Sequence, residues 1–414
     1  MPAVAEPVPR ALTPAPDAFP PPSRKDEKWR FANLKQLAAF EEMVAAPPVD
    51  PTLAASLSAR SNVLADTSAK FVFANEELVA NPVDRLPEGV VCLPLAVARE
   101  RHPDLFAEHF MAREIELGSD RYAALHKANT RSGVFVYVPK NVVVDRPIEV
   151  FHWLGGAEHA AGFPHTLVVA DTHSQVTVID HFRSSDAAAC ASVGVCDLVA
   201  NDGAHITYLN TQLWNDASRG IQLGSASAKR DSHITSLFLN LGGAWVRNEN
   251  TSHLDGPGAH SLMLSVSVAT GDQQFDQRTR QLHHAPDTTS DLLYKNALAD
   301  TARTVFGGLI VVDKGAHQTD AYQTCRNLLL SDECEANAMP GLEINADGVK
   351  CSHGATSSPI DPEQLFYLKS RGITGALAGH LITLGFARNA IDRLRDPKLA
   401  EALVAMVEAK LKGA

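Results

Sequence analysis

A thiol and an imidazole lie two residues apart near the C-terminal end of the chain, at Cys351 and His353. Side chains at positions i and i+2 of an extended segment point to the same face of the strand. Cys351 and His353 could therefore bind one metal ion together, or contact one partner together. A soft thiolate beside an imidazole is a donor pair that suits zinc, copper or iron–sulfur clusters.

Two further cysteines, Cys325 and Cys334, precede this pair. The combined spacing, C-x8-C-x16-C-x-H, matches neither a zinc finger nor a ferredoxin motif. We treat Cys325 as a candidate third ligand and Cys334 as a weaker one, because a lone cysteine is more often a small buried hydrophobic residue. The remaining cysteines lie in apolar or alanine-rich segments and are predicted to pack in the core: Cys92, Cys190 and Cys196.

Common catalytic motifs are missing from the sequence. There is no Walker A phosphate loop, no G-x-S-x-G nucleophile motif and no H-E-x-x-H metal motif, so we expect a non-enzymatic protein without its own ATPase activity. His283 and His284 are adjacent, and adjacent residues on a strand face opposite ways, which argues against joint metal ligation.

A remote hypothesis is a solenoid enzyme that acts on polysaccharide. Such an enzyme needs clustered carboxylates or basic residues along one face, and no acid pair stands out. The residues that this hypothesis would use are Asp272, Asp276, Arg278 and Arg280.

The overall composition is that of a folded, acidic protein. The chain has 414 residues and a formal charge of −11 at pH 7, which argues against a general nucleic-acid surface. No apolar run approaches the roughly 20 residues of a membrane span, and the N-terminus lacks a secretory signal pattern. Six irregularly spaced cysteines do not resemble a disulfide framework. We therefore expect a cytoplasmic protein with reduced thiols, no nucleic-acid partner and no membrane partner.

Changes in composition divide the chain into four parts. Residues 1–22 are rich in proline and are predicted to be a disordered leader. Residues 23–130 mix short helical and strand patterns. Residues 131–355 consist of short β-type runs separated by Gly, Asn and Asp, and residues 356–414 have helical patterns.

Four segments of the β-rich part resemble one another, at 171–180, 201–210, 230–240 and 256–266. Each has a turn-forming cluster, then a polar residue, then an alternating strand. Aligned on their polar residues, they recur at intervals of 30, 28 and 27 residues; these residues are Gln175, His205, His233 and His260. This period favours a mainly β fold with a β-solenoid core, while a β-sandwich is the competing interpretation. For the recurring histidines we expect structural roles.

Capping signals predict three helices after the β-rich part. Asp361 is a good N-cap, Pro362 suits the first helical position, and Gly372 ends that helix. A second helix is predicted over 374–387 and a third over 397–411. A helical domain beside a solenoid makes physical sense, because open solenoid ends expose unpaired strand edges.

Several joined motifs resemble one known family, the SufB/SufD family of scaffold proteins in the SUF iron–sulfur cluster assembly system. VKCSHGAT, followed by DPEQLFYLKSRGI, carries most of the resemblance, and its Gly354 is typical of the SufD branch. Other segments support it: RTVFGGLIVVD at 303–313, QTCRNLLLSD at 323–332, HAPDTTS at 284–290 and, more weakly, EKWR at 27–30.

The resemblance implies a right-handed parallel β-helix flanked by N-terminal and C-terminal helical regions. It also implies a SufB-like paralogue paired through the β-helix, and a SufC-like ATPase docked on the C-terminal helical domain. Cys351 and His353 would lie at the interface of the paralogues, where a transient, nascent iron–sulfur cluster forms. A flavin has been raised for complexes of this family, but the sequence contains no flavin motif.

One departure from the family pattern concerns the other two thiols, since Cys325 and Cys334 resemble SufB rather than SufD. This departure leaves open a homodimeric, less specialised scaffold. A further hypothesis is a purely structural assembly subunit, in which Cys351 and His353 only pack the interface.

Overall fold

The predicted β-solenoid is confirmed in the computed structural model, which describes residues 12–114 and 116–413. From residue 165 onward, successive strands alternate between two sheets, and each pairs in parallel with the strand two places along the chain. A β-sandwich is excluded, because its sheets are built from antiparallel neighbours. Helical segments flank the solenoid on both sides in sequence.

The strands are short at the N-terminal end of the solenoid and mostly ten residues long after it. Their bounds are β1 Val44–Ala45, β2 Ala69–Ala74, β3 Glu77–Ala80, β4 Val91–Pro94, β5 Gly133–Val138, β6 Ile148–Leu154, β7 Ala160–Gly162, β8 His165–Ala170, β9 Gln175–Ser184, β10 Ala191–Ala200, β11 His205–Leu213, β12 Arg219–Ala228, β13 His233–Asn240, β14 Trp245–Leu254, β15 His260–Ala269, β16 Gln274–His283, β17 Thr289–Leu298, β18 Arg303–Val312, β19 Asp320–Leu329, β20 Glu335–Ile344 and β21 Lys350–Pro359.

The helices lie before β5 and after β21. Their bounds are α1 Ala38–Glu41, α2 Pro51–Arg60, α3 Leu95–Arg101, α4 Pro103–His109, α5 Asp120–Asn129, α6 Pro362–Ser370, α7 Gly375–Ile391 and α8 Pro397–Lys412, with 3₁₀ turns at Glu27–Trp29, Leu34–Leu37 and Asp392–Leu394. Within the two described ranges, every helix falls short of the length and apolarity that a membrane span requires.

The first sheet runs from β4 through β5 and the even-numbered strands to β20, and the second runs from β3 through β2, β6 and the odd-numbered strands to β21. All four strands of the N-terminal region belong to the sheets, since β1 joins the first sheet through β7. Of the predicted leader, residues 1–11 lie outside the described residues. Thr13 exchanges hydrogen bonds with the Asn129 side chain, at 2.9 and 2.7 Å.

The sequence repeat corresponds to one turn of the solenoid. Gln175, His205, His233 and His260 occupy equivalent positions in β9, β11, β13 and β15. The rings of His205 and His233 stack with centroids 4.6 Å apart, and those of His233 and His260 with centroids 5.2 Å apart. The histidines form a stacked column along one edge of the turns, in keeping with a structural role.

The interior of the solenoid combines apolar clusters with columns of buried polar side chains. Both sheets fill the N-terminal turns with a hydrophobic cluster that includes Phe71 and Ile206. Farther along, buried amides pair with one another, and Asn296 Nδ2 donates to Asn327 Oδ1 at 2.8 Å. Asn327 Nδ2 then donates to Ser357 Oγ at 3.0 Å, so this polar column reaches the last strand, β21.

A buried ion-pair network fastens the N-terminal region to the first sheet. The Arg247 guanidinium is fully buried and pairs with Glu249, at 2.6 Å, and with Asp276. It also lies 3.8 Å from the ring centroid of Trp29 and donates to the Lys28 carbonyl at 2.9 Å. Arg247 therefore joins β14 and β16 to a segment more than 200 positions earlier in the chain.

The helices α7 and α8 fold back along the outer face of the second sheet. Ile391, Leu403 and Val407 pack in one cluster with Leu264 and Val266 of β15. As predicted, Asp361 caps α6 by accepting a hydrogen bond from the Glu363 backbone N–H. The predicted second helix extends farther than expected, because α7 continues to Ile391 with buried Ala387 and Ala390 against the sheet.

The C-terminal end of the solenoid leaves two strand edges uncovered. Among residues 12–114 and 116–413, β20 and β21 are the last strands of their sheets and pair on one side only. Almost all of β21 is exposed, and α6 contributes no buried residue. Uncovered edges of this length are templates for pairing with another chain.

We expect Arg247→Ala to lower the free energy of unfolding by about 3–5 kcal/mol, because it leaves buried Glu249 without a counter-charge and buried Asp276 with Arg278 alone. Denaturant unfolding monitored by tryptophan fluorescence would measure the change. The matched control is Arg303→Ala, which removes an exposed pair with Glu335 and should cost less than about 1 kcal/mol. Equal effects of the two substitutions would contradict the fastening role of Arg247.

Candidate functional site

Cys351 and His353 lie in β21, on the uncovered end of the second sheet. Cys351 is in register with Ala321 of β19, and His353 is in register with Gln323. The alternation of side chains along a strand directs Cys351 and His353 to the same face, about 6.6 Å apart along the strand. Ala321 and Gln323 are both buried, so this face is the interior side of the last turn.

The Cys351 thiol is half-buried and His353 is exposed. Cys351 packs at the edge of a small apolar cluster with Ile310 and Ala321. Burial raises the pKa of the Cys351 thiol, and the negative charge of Asp320 raises it further. Because the thiolate is the form that binds metal, an ion must displace the thiol proton when it binds.

Cys325 lies on β19 but does not reach the same place. It is in register with Ala355 of β21. Ala355 lies four positions after Cys351, or about 13 Å farther along the strand. The thiol is fully buried, with Sγ 3.7 Å from Asn327 Oδ1, and burial raises its pKa to about 12. Within one chain, the structure therefore does not bring Cys325 together with Cys351 around a single ion.

The other four cysteines pack against neighbouring residues of the fold. Cys334 Sγ donates to the Ser331 carbonyl at 2.9 Å, in the turn before β20. As predicted, the remaining three are buried: Cys92, Cys190 and Cys196.

The residues of the polysaccharide hypothesis do not form an acid–base pair. Asp276 is buried between Arg247 and Arg278, and Arg278 Nε lies 2.6 Å from its Oδ1. Arg280 forms an ion pair with Glu116. These charges neutralise one another, whereas a glycoside hydrolase needs two carboxylates that flank a substrate.

His283 and His284 face opposite ways, as predicted. His283 is buried and shares hydrogen bonds with Thr288 and Ser290, at 2.7 and 2.8 Å. His284 is exposed, and its Nδ1 lies 2.6 Å from an oxygen of Asp313.

Asp320 is a site residue that sequence analysis missed. It begins β19, in register with Thr289 before it and Lys350 after it. The same column includes Gln175 and His260, so extending the recognised repeat by two turns would have found it. The available signal was the repeat itself, rather than any local motif around Cys351.

Comparison with known proteins gives one consistent result. A family model described as the SufBD core domain of SUF system FeS cluster assembly matches residues 152–386, and one described as the SufBD N-terminal region matches residues 18–150. Iron–sulfur cluster assembly protein SufD of Bacillus subtilis (strain 168) is 30% identical over 327 residues, covering 78% of this chain and 75% of that protein. SufD of Escherichia coli (strain K12) is 28% identical over 396 residues, covering 95% and 90%.

We expect Asp320→Asn to speed the alkylation of Cys351 by iodoacetamide at pH 8. Removing the carboxylate charge lowers the thiol pKa, which raises the fraction of reactive thiolate at a given pH. Mass spectrometry of a Cys334→Ser chain would follow the reaction, since the four other cysteines besides Cys351 are buried. Asp347→Asn, an exposed carboxylate in the turn before β21, is the control. Equal rates for Asp320→Asn and the unsubstituted site would contradict the effect of Asp320.

Proposed function

The chain belongs to the SufBD family of SUF system iron–sulfur cluster assembly proteins, and from this premise we propose that it is the SufD-like scaffold subunit that offers Cys351 and His353 to a nascent cluster. The observation that carries the proposal is the location of both side chains on one face of β21, a strand with an uncovered edge. A partner that pairs with this edge would enclose both donors at the interface.

The chemistry of the two donors suits cargo that must leave again. A thiolate is a soft anionic ligand for iron, while a neutral imidazole exchanges more readily. The raised pKa of Cys351 also favours release of the cluster, because the free thiol remains protonated until iron or another cation favours the thiolate. The iron–sulfur cluster is therefore treated as the transient cargo of the scaffold.

A SufB-like paralogue is the proposed partner at the edges of β20 and β21. Both edges are ten residues long and carry unpaired backbone groups, which favours a strand-to-strand interface with another solenoid. A second copy of this chain would present the same edges. A homodimeric scaffold is thus the alternative assembly. The homodimer predicts that the purified chain alone is a dimer, whereas pairing with a SufB-like paralogue does not.

A SufC-like ATPase is the proposed partner of the C-terminal helices. Phe366 and Tyr367 of α6 are 74% and 56% exposed, which is the kind of aromatic surface that protein interfaces use. Lys295 of β17 donates to the Phe386 carbonyl of α7 at 3.0 Å, so a pull on α7 acts directly on the second sheet. With no Walker A sequence in this chain, hydrolysis is assigned to the partner and the chain acts as a scaffold.

The cytoplasm is the proposed location. All six cysteines are free thiols, and four of them are buried. Reducing compartments keep cysteines in this state.

We expect the double variant Cys351→Ala/His353→Ala to lower cluster yield about tenfold or more, because losing a ligand should cost at least as much as losing its second-sphere partner. The measurement is anaerobic reconstitution with iron and sulfide of the complex co-purified with the SufB-like and SufC-like partners, followed by visible absorption. Cys334→Ser is the control and should leave the yield unchanged.

An intact complex with unchanged yield would reject the ligand role. A double variant that loses the complex itself, with yield falling only in proportion, would instead assign the pair to interface packing. Size-exclusion chromatography of each complex before reconstitution distinguishes these outcomes.

We expect Phe366→Asp/Tyr367→Asp to weaken binding of the SufC-like ATPase about 30-fold, which corresponds to the ~2 kcal/mol of an interface hot spot. Binding of the SufB-like partner should not change, because β20 and β21 are untouched. Calorimetric titration with each partner would measure both affinities. Val143→Asp, at an exposed apolar residue near the other end of the solenoid, is the control. Unchanged ATPase affinity would contradict docking on α6.

A further inference from the structure

Three successive turns bring polar side chains to one corner of the solenoid, away from β21. Leu254, His283 and Val312 are in register in β14, β16 and β18, so the residues that follow them also stack. Those residues are Asp255, His284 and Asp313, and backbone hydrogen bonds continue the ladder through them. Equivalent positions of neighbouring turns lie about 4.8 Å apart. The corner column therefore places a carboxylate, an imidazole and a second carboxylate in line.

His253, two residues before Asp255, places a second imidazole beside this column. Its Nδ1 lies 3.3 Å from Nε2 of His284. The potential ligand atoms of His253, Asp255 and His284 all lie within 4.8 Å of one another. Two nitrogens bound to one tetrahedral metal ion at 2.0–2.1 Å are about 3.3 Å apart. The two imidazoles are thus already spaced like neighbouring ligands of one ion.

The hydrogen bonding of His284 suits metal binding. Its Nδ1 lies 2.6 Å from Asp313 Oδ2 and donates to that carboxylate, which leaves Nε2 on the side of His253. A carboxylate that holds the far nitrogen of a histidine is the usual second-sphere arrangement around a metal ligand. Asp313 therefore orients His284 towards His253.

His253 is also placed to act as a ligand. The side chain is 4% exposed, and its Nε2 has no hydrogen-bond partner among the described residues. Its Nδ1 shares a hydrogen bond with Nε2 of His284 at 3.3 Å, and a bound ion would take the place of this hydrogen bond.

The surrounding cations set a limit on affinity. Every hydrogen bond and ion pair described for Asp255 ends on Oδ2, which contacts Ser227, Arg113 and, at 3.5 Å, Lys229. The second oxygen, Oδ1, is the one that could turn towards an ion. Because Lys229 and Arg113 reduce the negative charge at the corner, a variant that removes one of them should bind a cation more tightly.

We propose that His253, His284 and Asp255 form a binding site for a divalent first-row transition-metal ion, with water in the remaining positions. Two imidazoles and one carboxylate suit Zn²⁺ or Fe²⁺, and suit Mg²⁺ or Ca²⁺ poorly. The site uses none of the residues of the proposed cluster interface. It would hold a resident or incoming ion independently of Cys351 and His353.

Titration of the full chain with Co²⁺, as a spectroscopic substitute for Zn²⁺, tests the site. The chain would carry Cys351→Ser, so that thiolate binding at β21 cannot contribute. We expect one equivalent to bind with visible d–d bands and without sulfur-to-metal charge-transfer absorption. His284→Ala should weaken binding roughly 100-fold, and Asp313→Asn about tenfold, as for a lost ligand and a lost second-sphere partner. Lys229→Gln should strengthen it.

The matched control is His317→Ala, an exposed histidine one turn farther along whose Nδ1 lies near the Asp347 carbonyl. It should bind Co²⁺ as the parent does. Circular dichroism and melting of each metal-free variant show that the fold is retained, and added Zn²⁺ should raise the melting temperature of the parent but not of His284→Ala. Failure of the Cys351→Ser parent to bind Co²⁺, or equal affinity of His284→Ala, would overturn the proposal. Neither result bears on cluster yield, so the proposed function is tested separately.

Discussion

In-register hydrogen bonding between parallel strands is the constraint on which the rest of the structure depends. β10 and β12, for example, pair without a shift from Ala191 and Arg219 to Ala200 and Ala228. Such pairing stacks equal positions of successive turns about 4.8 Å apart, so the neighbours of a side chain come mainly from one turn before and one turn after. The stacked histidines, the interior amides that lead to Ser357 and the corner column with His284 all follow from this rule.

The two ends of the stack are finished differently. At the N-terminal end, β3 and β4 pair antiparallel with β2 and β5 and are only four residues long, which blunts the edges. The N-terminal region and the helices α7 and α8 cover the outer faces of the first and second sheet. At the C-terminal end, β20 and β21 keep their full length without a cover. The two ends of the solenoid therefore differ in what they can bind, and the candidate ligands Cys351 and His353 lie at the uncovered C-terminal end.

The sequence predicts the period of this fold but not its columns. Turn residues reveal a repeat, and alternation within a strand is enough to pair Cys351 with His353. The interval between equivalent residues varies, however, from 27 between His233 and His260 to 31 between Thr289 and Asp320. An error of one or two residues assigns a side chain to the wrong column or face, which is why Asp320 was missed. Arg247 was missed for another reason: a fully buried guanidinium depends on partners that only the fold assembles.

Strand edges of the solenoid also differ in how long they stay unpaired during synthesis. A ribosome adds roughly 5–20 residues per second, so the edge of a newly made turn waits only about 2–6 seconds for the next turn to cover it. The edge of β12, for instance, disappears once β14 is made and paired. In the part of the chain that the structure describes, no later strand covers β20 or β21. During biosynthesis, most strand edges are therefore exposed only briefly, whereas the edges of β20 and β21 persist. A partner that needs longer than a few seconds to bind an edge would bind at β20 and β21.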